Sequence, residues 1–207
     1  MESKRRTFLK SVSLLSAGTF IVPSHLFDFG NKKLKVVLVG TGVRGISFWG
    51  KRLVQNYSDI LEFVGLCDVN PGRLQYAQSY MGVDCKLYQD FDQMLRESKP
   101  ELLIVTTKDS VHHEYIIKGL DYGCDVLTEK PLTIDEDKSQ AILDAERRGN
   151  KKLIVGFNYR WSPYTTKIKE LLKDGAIGKV TSVDFHWYLN TYHGASYFRR
   201  WHGLREE

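Results

Sequence analysis

Three glycines in one short segment mark the first place where this chain could do chemistry. They are spaced Gly-x-Gly-x-x-Gly and directly follow the apolar, valine-rich segment 34–39. In this pattern the first glycine allows a tight turn, the second lets a pyrophosphate approach the backbone, and the third lets a helix pack closely on the strand. Unpaired N–H groups at the start of that helix would bind phosphate oxygens. We therefore predict a dinucleotide-binding loop formed by Gly40, Thr41, Gly42, Val43, Arg44 and Gly45.

An acidic residue at the end of the next predicted strand supports the same chemistry. Asp68 follows the apolar segment 61–67, at the spacing expected for a carboxylate that binds the adenosine ribose. Such a carboxylate accepts hydrogen bonds from the ribose hydroxyls and repels a 2′-phosphate, so NAD is predicted in preference to NADP. Arg73 is near enough in sequence to neutralise a 2′-phosphate, which keeps NADP as the second choice. The alternative is an ordinary strand–turn–helix unit that binds nothing.

A lysine after the fifth predicted strand is the candidate for proton chemistry. Lys130 follows the apolar segment 125–128, between Glu129 and Pro131. Open α/β sheets bind ligands at the carboxyl ends of their strands, where a lysine can stabilise an alkoxide or relay a hydroxyl proton. Lys130 is therefore predicted to contact a substrate hydroxyl, with a surface lysine as the alternative. Glu129 is predicted to position Lys130 or the cofactor, and a solvated carboxylate is the equal alternative.

Polar side chains also follow the fourth and sixth predicted strands. Thr106 and Thr107 end the strand 102–107, and His112 lies at the start of the next helix. We predict that these three residues border the cofactor, while a histidine bonded only to the backbone is the alternative for His112. Tyr159 and Arg160 are predicted to line a substrate cleft, or in the case of Arg160 to brace a domain junction.

The stretch 187–202 is unusually aromatic and basic. Aromatic faces beside hydrogen-bond donors suit a polyhydroxylated ring, so His193, Arg200 and Trp201 are predicted substrate contacts. Packing between this stretch and the missing sheet of the second domain is the alternative. The histidines here lack metal-ligand spacing, and we predict no metal site.

Strands that end at one edge of a sheet would bring these residues together. Apolar segments alternate with helical patterns along residues 34–156, which predicts an α/β fold with a doubly wound parallel (Rossmann) sheet. Beyond it, residues 157–207 are predicted to begin a substrate domain of α+β type with an open antiparallel sheet. A helix at 163–173 and a strand at 179–188 would start that domain, which we expect to be cut short because the strand lacks partners. The predicted strands of the first domain are 34–39, 61–68, 82–88, 102–107, 125–128 and 152–156, and the predicted helices are 46–56, 71–81, 90–95, 111–122 and 133–148, the last capped by Thr133 or Asp135.

Composition excludes several classes of protein. The 207 residues are 42% hydrophobic and 27% charged, which is typical of a globular chain. The net charge of +5 is mild and forms no basic stripe with aromatics, so no nucleic-acid partner is expected. The three cysteines are widely spaced and predicted to be buried free thiols.

The first 33 residues are predicted to be a separate export signal or tail. Basic residues at positions 4–10 precede an apolar stretch at 12–22, which is short for a membrane span. Arg5 and Arg6, followed by Thr-Phe-Leu-Lys, resemble a twin-arginine signal, with an ordinary secretory signal or a basic tail as alternatives. No clear cleavage site follows, so we expect an exported protein, periplasmic or anchored to the membrane by its N-terminus.

Taken together, the glycine loop, Asp68, the Glu-Lys-Pro motif and the Gly-Ala-Ile-Gly segment at 175–178 resemble the glucose–fructose oxidoreductase/inositol dehydrogenase/rhizopine-catabolism (Gfo/Idh/MocA) superfamily. The likeness covers about residues 34–190. It departs from the family at Lys108, where proline is more usual. The resemblance implies an NAD(P)-binding Rossmann domain, a substrate domain with a large open sheet, and Lys130 beside the nicotinamide. It also implies a downstream histidine base that this chain does not contain.

The resemblance implies oxidation or reduction of a sugar, cyclitol or related polyol by hydride transfer. Two alternatives stay open: an NAD-dependent glycosidase that oxidises, eliminates, hydrates and reduces, and a non-catalytic nucleotide-binding protein. The expected partners are NAD and a small carbohydrate-like substrate. We expect a homo-oligomer for a full-length protein, and no turnover from the 207-residue chain alone.

Overall fold

The computed structural model describes residues 32–191 and 194–195. Two compact units divide between Pro163 and Tyr164. The first unit contains a six-stranded sheet whose strands follow the order β3-β2-β1-β4-β5-β6. These are β1 Leu34–Val39, β2 Leu61–Cys67, β3 Lys86–Tyr88, β4 Leu102–Val105, β5 Asp125–Thr128 and β6 Leu153–Val155.

Every neighbouring pair of strands in this sheet is parallel. β1 is central and pairs with both β2 and β4, so the strand order reverses beside it. In doubly wound sheets this reversal opens a crevice at the carboxyl ends of the strands, which is where ligands bind. The predicted α/β fold with a Rossmann-like sheet is therefore confirmed.

Helices connect the strands on both faces of the sheet. The helix after β1, here α1, is π-helical over Gly45–Lys51 and α-helical over Arg52–Tyr57. A π-helical turn has one more residue in its hydrogen-bonded ring and is frequent at functional sites. The remaining helices are α2 Pro71–Met81, α3 Phe91–Ser98, α4 His112–Tyr122, α5 Glu136–Arg148 and α6 Pro163–Lys173, with short 3₁₀ turns at Asp109–Val111 and Asn158–Trp161.

The core has two layers, one on each face of the sheet. On one face, Val36 and Leu38 of β1 pack in a cluster with residues of α1 and α2. On the other, Val37 and Val39 pack in a cluster with residues of α3, α4 and α5. Residues 36–38 have no exposed surface, as expected for a strand covered on both faces. This central strand gives the loop that follows it a rigid support.

Aspartate side chains cap the starts of two helices, α3 and α5. Asp90 accepts a hydrogen bond from the amide of Gln93 at 2.7 Å, as predicted for the start of α3. Asp135 accepts one from the amide of Lys138 at 2.8 Å. Asp135, and not Thr133, is therefore the cap of α5.

The predicted strand at 179–188 is wrong. Residues 181–190 have no regular secondary structure, and Val183 and Phe185 are 84% and 74% exposed. An extended strand is stable only when its backbone bonds to a neighbour, and alternating side chains do not provide one. Among the described residues, all strands belong to the parallel sheet of the first unit. The open antiparallel sheet stays a prediction.

The predicted export signal lies outside the described residues, except for Lys32 and Lys33. In the part of the chain that the structure describes, no helix combines the length and apolar character needed to cross a membrane.

Candidate active site

The carboxyl ends of the strands bring the predicted cofactor residues to one edge of the sheet. The amide of Gly40 donates to the carbonyl of Cys67 at 2.8 Å, and the amide of Thr106 donates to the carbonyl of Val39 at 2.9 Å. The amide of Glu129 bonds to the carbonyl of Val105 at 3.1 Å. These bonds continue the ladder past the ends of β1, β4 and β5, so the three loops leave the sheet side by side.

The glycine-rich loop is shaped by close backbone contacts. Gly40 has φ +87°, and a Cβ there would lie 2.6 Å from the carbonyl carbon of Thr106. A Cβ on Gly45 would lie 2.5 Å from the carbonyl oxygen of Gly40, which also accepts a 2.6 Å hydrogen bond from the Thr106 hydroxyl. Only glycine fits either position. Thr106 thus supports the loop from the β4 side.

The outer side of the same loop is open. A Cβ on Gly42 would meet no atom within 4 Å, and Val43 beside it is 81% exposed. A pyrophosphate can therefore approach the backbone here, as the motif requires. The residues present fit a dinucleotide: the loop would hold its phosphates, and the carboxylate after β2 would hold its adenosine ribose.

That carboxylate, Asp68, is fixed by three hydrogen bonds. Its Oδ2 accepts from the amide of Thr41 at 2.8 Å and from the Thr41 hydroxyl at 2.9 Å. Its Oδ1 accepts from the amide of Asn70 at 3.0 Å. Asp68 is only 8% exposed, so its orientation is set before any ligand binds. Arg73 is exposed on the first turn of α2, with its amide bonded to Asn70.

Glu129 joins the end of β5 to helix α1. Its Oε1 accepts from Arg44 Nε at 2.7 Å and from Trp49 Nε1 at 2.6 Å. The residue is 7% exposed, so the solvated alternative considered for Glu129 is wrong. Sequence analysis missed Trp49, because its partner lies 80 residues away and nothing in the local pattern indicates an indole hydrogen bond.

His112 joins two further loops at this edge. Its Nδ1 lies 3.0 Å from the carbonyl oxygen of Pro131 and its Nε2 lies 3.1 Å from that of Thr107. Both neighbours are hydrogen-bond acceptors, and which ring nitrogen donates depends on the tautomer. His112 is 2% exposed. These contacts are with the backbone, and they hold the loop after β4 against the turn that contains Lys130.

Lys130 is exposed on that turn, and its peptide bond to Pro131 is cis. Its ammonium forms no ion pair with any carboxylate of residues 32–191. Tyr159 and Arg160 lie in the 3₁₀ turn after β6, also exposed and on the same edge of the sheet. The other predicted substrate contacts, His193, Arg200 and Trp201, lie outside the described residues.

The cysteines are free thiols, as predicted. Burial raises the pKa of Cys67 and of Cys124 to about 12, and that of Cys85 to about 11. All three are therefore protonated and unreactive at neutral pH. Among the described residues, no cluster of three or more potential metal ligands is formed.

Comparison with known proteins agrees with this geometry. The Gfo/Idh/MocA model, described as an oxidoreductase family with an NAD-binding Rossmann fold, matches residues 34–157. The oxidoreductase named YteT from Bacillus subtilis is 41% identical over 175 residues, which are 83% of this chain and 41% of the relative. An inositol 2-dehydrogenase/D-chiro-inositol 3-dehydrogenase of Lactiplantibacillus plantarum is 29% identical over 72% of this chain and 44% of its own length. The chain thus spans less than half the length of these relatives.

Solved structures share the fold. Scyllo-inositol dehydrogenase from Lactobacillus casei, with bound NAD(H) and scyllo-inositol, superposes with a TM-score of 0.65 at 24% identity over 72% of this chain and 44% of that one. The WlbA dehydrogenase of Bordetella pertussis, in complex with NADH and UDP-GlcNAcA, superposes with a TM-score of 0.66 at 23% identity, over 72% of this chain and 42% of that one. The family match covers more than half of the chain and includes the glycine loop, Asp68 and Lys130. The chain therefore belongs to the Gfo/Idh/MocA oxidoreductase family, and residues 34–157 are its NAD-binding Rossmann domain.

Proposed function

We propose that the protein is an NAD-dependent oxidoreductase that acts on one hydroxyl-bearing carbon of a sugar, cyclitol or related polyol. The observation that carries this proposal is the placement of Lys130. It is exposed directly after β5, on the same sheet edge as the open side of the glycine loop and the fixed carboxylate of Asp68. A lysine that follows a strand end beside a dinucleotide loop is placed to contact a substrate.

The chain's own residues have separate tasks in this reaction. The loop 40–45 binds the phosphates through its backbone, and Asp68 accepts hydrogen bonds from the adenosine ribose. Bound NAD supplies the hydride acceptor or donor. Lys130 donates an N–H to the substrate oxygen, stabilises negative charge there and relays the hydroxyl proton.

The relatives support the substrate class. Those named in the comparison include inositol dehydrogenases and a D-apiose dehydrogenase of Paraburkholderia graminis, which is 27% identical over 82% of this chain. Inositols and apiose share vicinal hydroxyls on a compact carbon skeleton. We infer the same class of substrate here, with Tyr159 and Arg160 as further contacts on the substrate side.

The test is a substrate screen with the full-length gene product. NADH formation is followed with a panel of aldoses, cyclitols and sugar acids, each with NAD or NADP. Oxidation of at least one member that depends on added NAD would support the proposal. Turnover of glycosides without added nucleotide, together with NAD released on denaturation, would favour the oxidation–elimination alternative. Nucleotide binding without turnover of any carbohydrate would favour the non-catalytic one.

We further infer export of the folded protein through its first 33 residues. A twin-arginine route carries folded proteins, so the cofactor would travel with the domain. Replacing Arg5 and Arg6 by lysine in the full-length protein should then keep it in the cytoplasm of its host. Unchanged export of that variant would contradict the inference.

A further inference from the structure

Two donors, one just before helix α1 and one within it, meet at one oxygen of Glu129. Arg44 belongs to the glycine-rich loop, and Trp49 lies one turn later on the buried side of the π-helical segment. Both donate to Oε1, at 2.7 and 2.6 Å. The guanidinium of Arg44 also lies 3.8 Å above the ring of Phe48, which restricts its conformations. The start of α1 is thereby anchored to the end of β5.

Gly156, directly after strand β6, packs against this anchor from the other side. A Cβ on Gly156 would lie 3.1 Å from Trp49 Cζ2 and 3.8 Å from the Glu129 Oε1 atom. Glu129 therefore sits in a closely packed pocket between α1 and the ends of β5 and β6. A carboxylate buried in this way stays bonded to its donors, because leaving its charge buried without them is costly.

We propose that Glu129 is a positioning residue that holds the phosphate-binding loop through Arg44 and Trp49. It acts on the loop and is not itself a ligand of the cofactor. The next residue in the chain is Lys130, so the same contact fixes the spacing between the phosphate loop and the lysine. The proposal rests on NAD as the cofactor of the proposed function, and it adds Arg44 and Trp49 to the residues that serve that function.

Two nucleotides separate positioning from direct contact. ADP carries the pyrophosphate but lacks the nicotinamide riboside, whereas NAD carries both. If Glu129 positions the loop, Glu129→Gln should weaken the binding of NAD and the binding of ADP by the same factor. If Glu129 is a ligand on the nicotinamide side, the same substitution should weaken the binding of NAD and leave the binding of ADP unchanged.

The experiment is isothermal titration of the 207-residue chain with NAD and with ADP. We expect both dissociation constants to rise about tenfold in Glu129→Gln, because the amide oxygen of glutamine can accept the same two hydrogen bonds but lacks the negative charge that strengthens them. Trp49→Phe keeps an aromatic ring at the site and removes the indole N–H donor, so it should raise both constants by an equal but smaller factor. The matched control is Glu62→Gln, on an exposed side chain of β2, and it should change neither constant.

Circular dichroism of each variant shows whether it folds, and Trp49→Phe supplies the test if Glu129→Gln does not. Unchanged affinity for both nucleotides in a folded variant, even one of lower thermal stability, would overturn the proposal and leave a purely structural contact. A loss confined to NAD would also overturn it. If the wild-type chain binds neither nucleotide, that result would contradict both the positioning role of Glu129 and the use of NAD by this chain. Normal binding without turnover of the full-length protein would count only against the proposed function.

Discussion

Thr41 donates two hydrogen bonds to a single oxygen of Asp68, from its amide at 2.8 Å and from its hydroxyl at 2.9 Å. The second residue of the glycine motif thus orients the carboxylate that follows the neighbouring strand. A carboxylate has about four lone-pair sites, and three are filled here, so the free capacity is on Oδ1. The loop and the ribose site are therefore one hydrogen-bonded unit.

Asp68→Ala should weaken NAD binding and reduce the preference for NAD over NADP. The carboxylate accepts from ribose hydroxyls and repels a 2′-phosphate, so its removal takes away both effects. We expect about a tenfold loss for NAD. The measurement is the dissociation constant of each nucleotide, with exposed Asp84→Ala as control. Tighter binding of NADP than of NAD to the wild type would show that Arg73 dominates the site.

Thr41→Val should reproduce part of this effect. The substitution keeps the β-branched shape and removes only the hydroxyl, so Asp68 loses one of its three donors and is less firmly oriented. NAD binding should weaken by less than in Asp68→Ala. The double variant should be no weaker than Asp68→Ala alone, because the two residues act through one carboxylate. Additive losses would contradict this coupling.

Lys130→Met should lower turnover of the full-length enzyme by about 10²–10⁴, the usual effect of removing one proton-transfer group. NAD affinity should change little, because the loop and Asp68 are unaffected. The control is Lys152→Met, an exposed lysine beside β6. Near-normal turnover of the Lys130 variant on a confirmed substrate would show that Lys130 is structural.

His112→Ala should lower the free energy of unfolding by about 1–3 kcal/mol, because it removes a buried imidazole ring together with its contacts to the carbonyls of Thr107 and Pro131. Urea unfolding followed by far-UV circular dichroism measures the change. His186→Ala alters an imidazole that is 68% exposed and should have little effect. An equally stable His112 variant would mean that water replaces the ring without cost.

The buried thiols predict a loss of stability at high pH. Burial raises the folded-state pKa of Cys67 and Cys124 to about 12, above the ordinary thiol value, so unfolding releases protons between the two. The stability that these protonated thiols contribute is fully present below the ordinary thiol pKa, and it is lost as the pH rises towards about 12. Iodoacetamide should label neither residue in the native chain at neutral pH and both in urea. Rapid native labelling would contradict the buried positions.

Much of the fold could be predicted because the signals are local. The valine-rich run of β1 and the glycines after it need only their own neighbours in sequence, and both were confirmed. Strand β3 is shorter than predicted, Lys86–Tyr88 within 82–88, because it lies at the sheet edge and pairs only with β2. The strand expected at 179–188 failed because pairing depends on a partner, which an alternating pattern does not supply.

The candidate site was predictable by residue type but not by contact. Asp68 and Lys130 could be chosen because strand ends share an edge. The bonds of Trp49 to Glu129 and of His112 to Pro131 join segments far apart in sequence, and only the folded sheet brings them together. Burial of Glu129 excludes a solvated carboxylate, and burial of a single carboxylate has no sequence signature.

The contact between Arg44 and Glu129 spans 85 residues, which has a consequence for biosynthesis. A chain emerging from the ribosome makes the glycine loop long before it makes β5, and folding proceeds from the N-terminal side as segments appear. Until residue 129 has emerged, α1 lacks its acidic anchor, and β4 has no β5 beside it. If Glu129 holds the loop as proposed, we expect the domain to bind nucleotide only after most of the sheet has been synthesised.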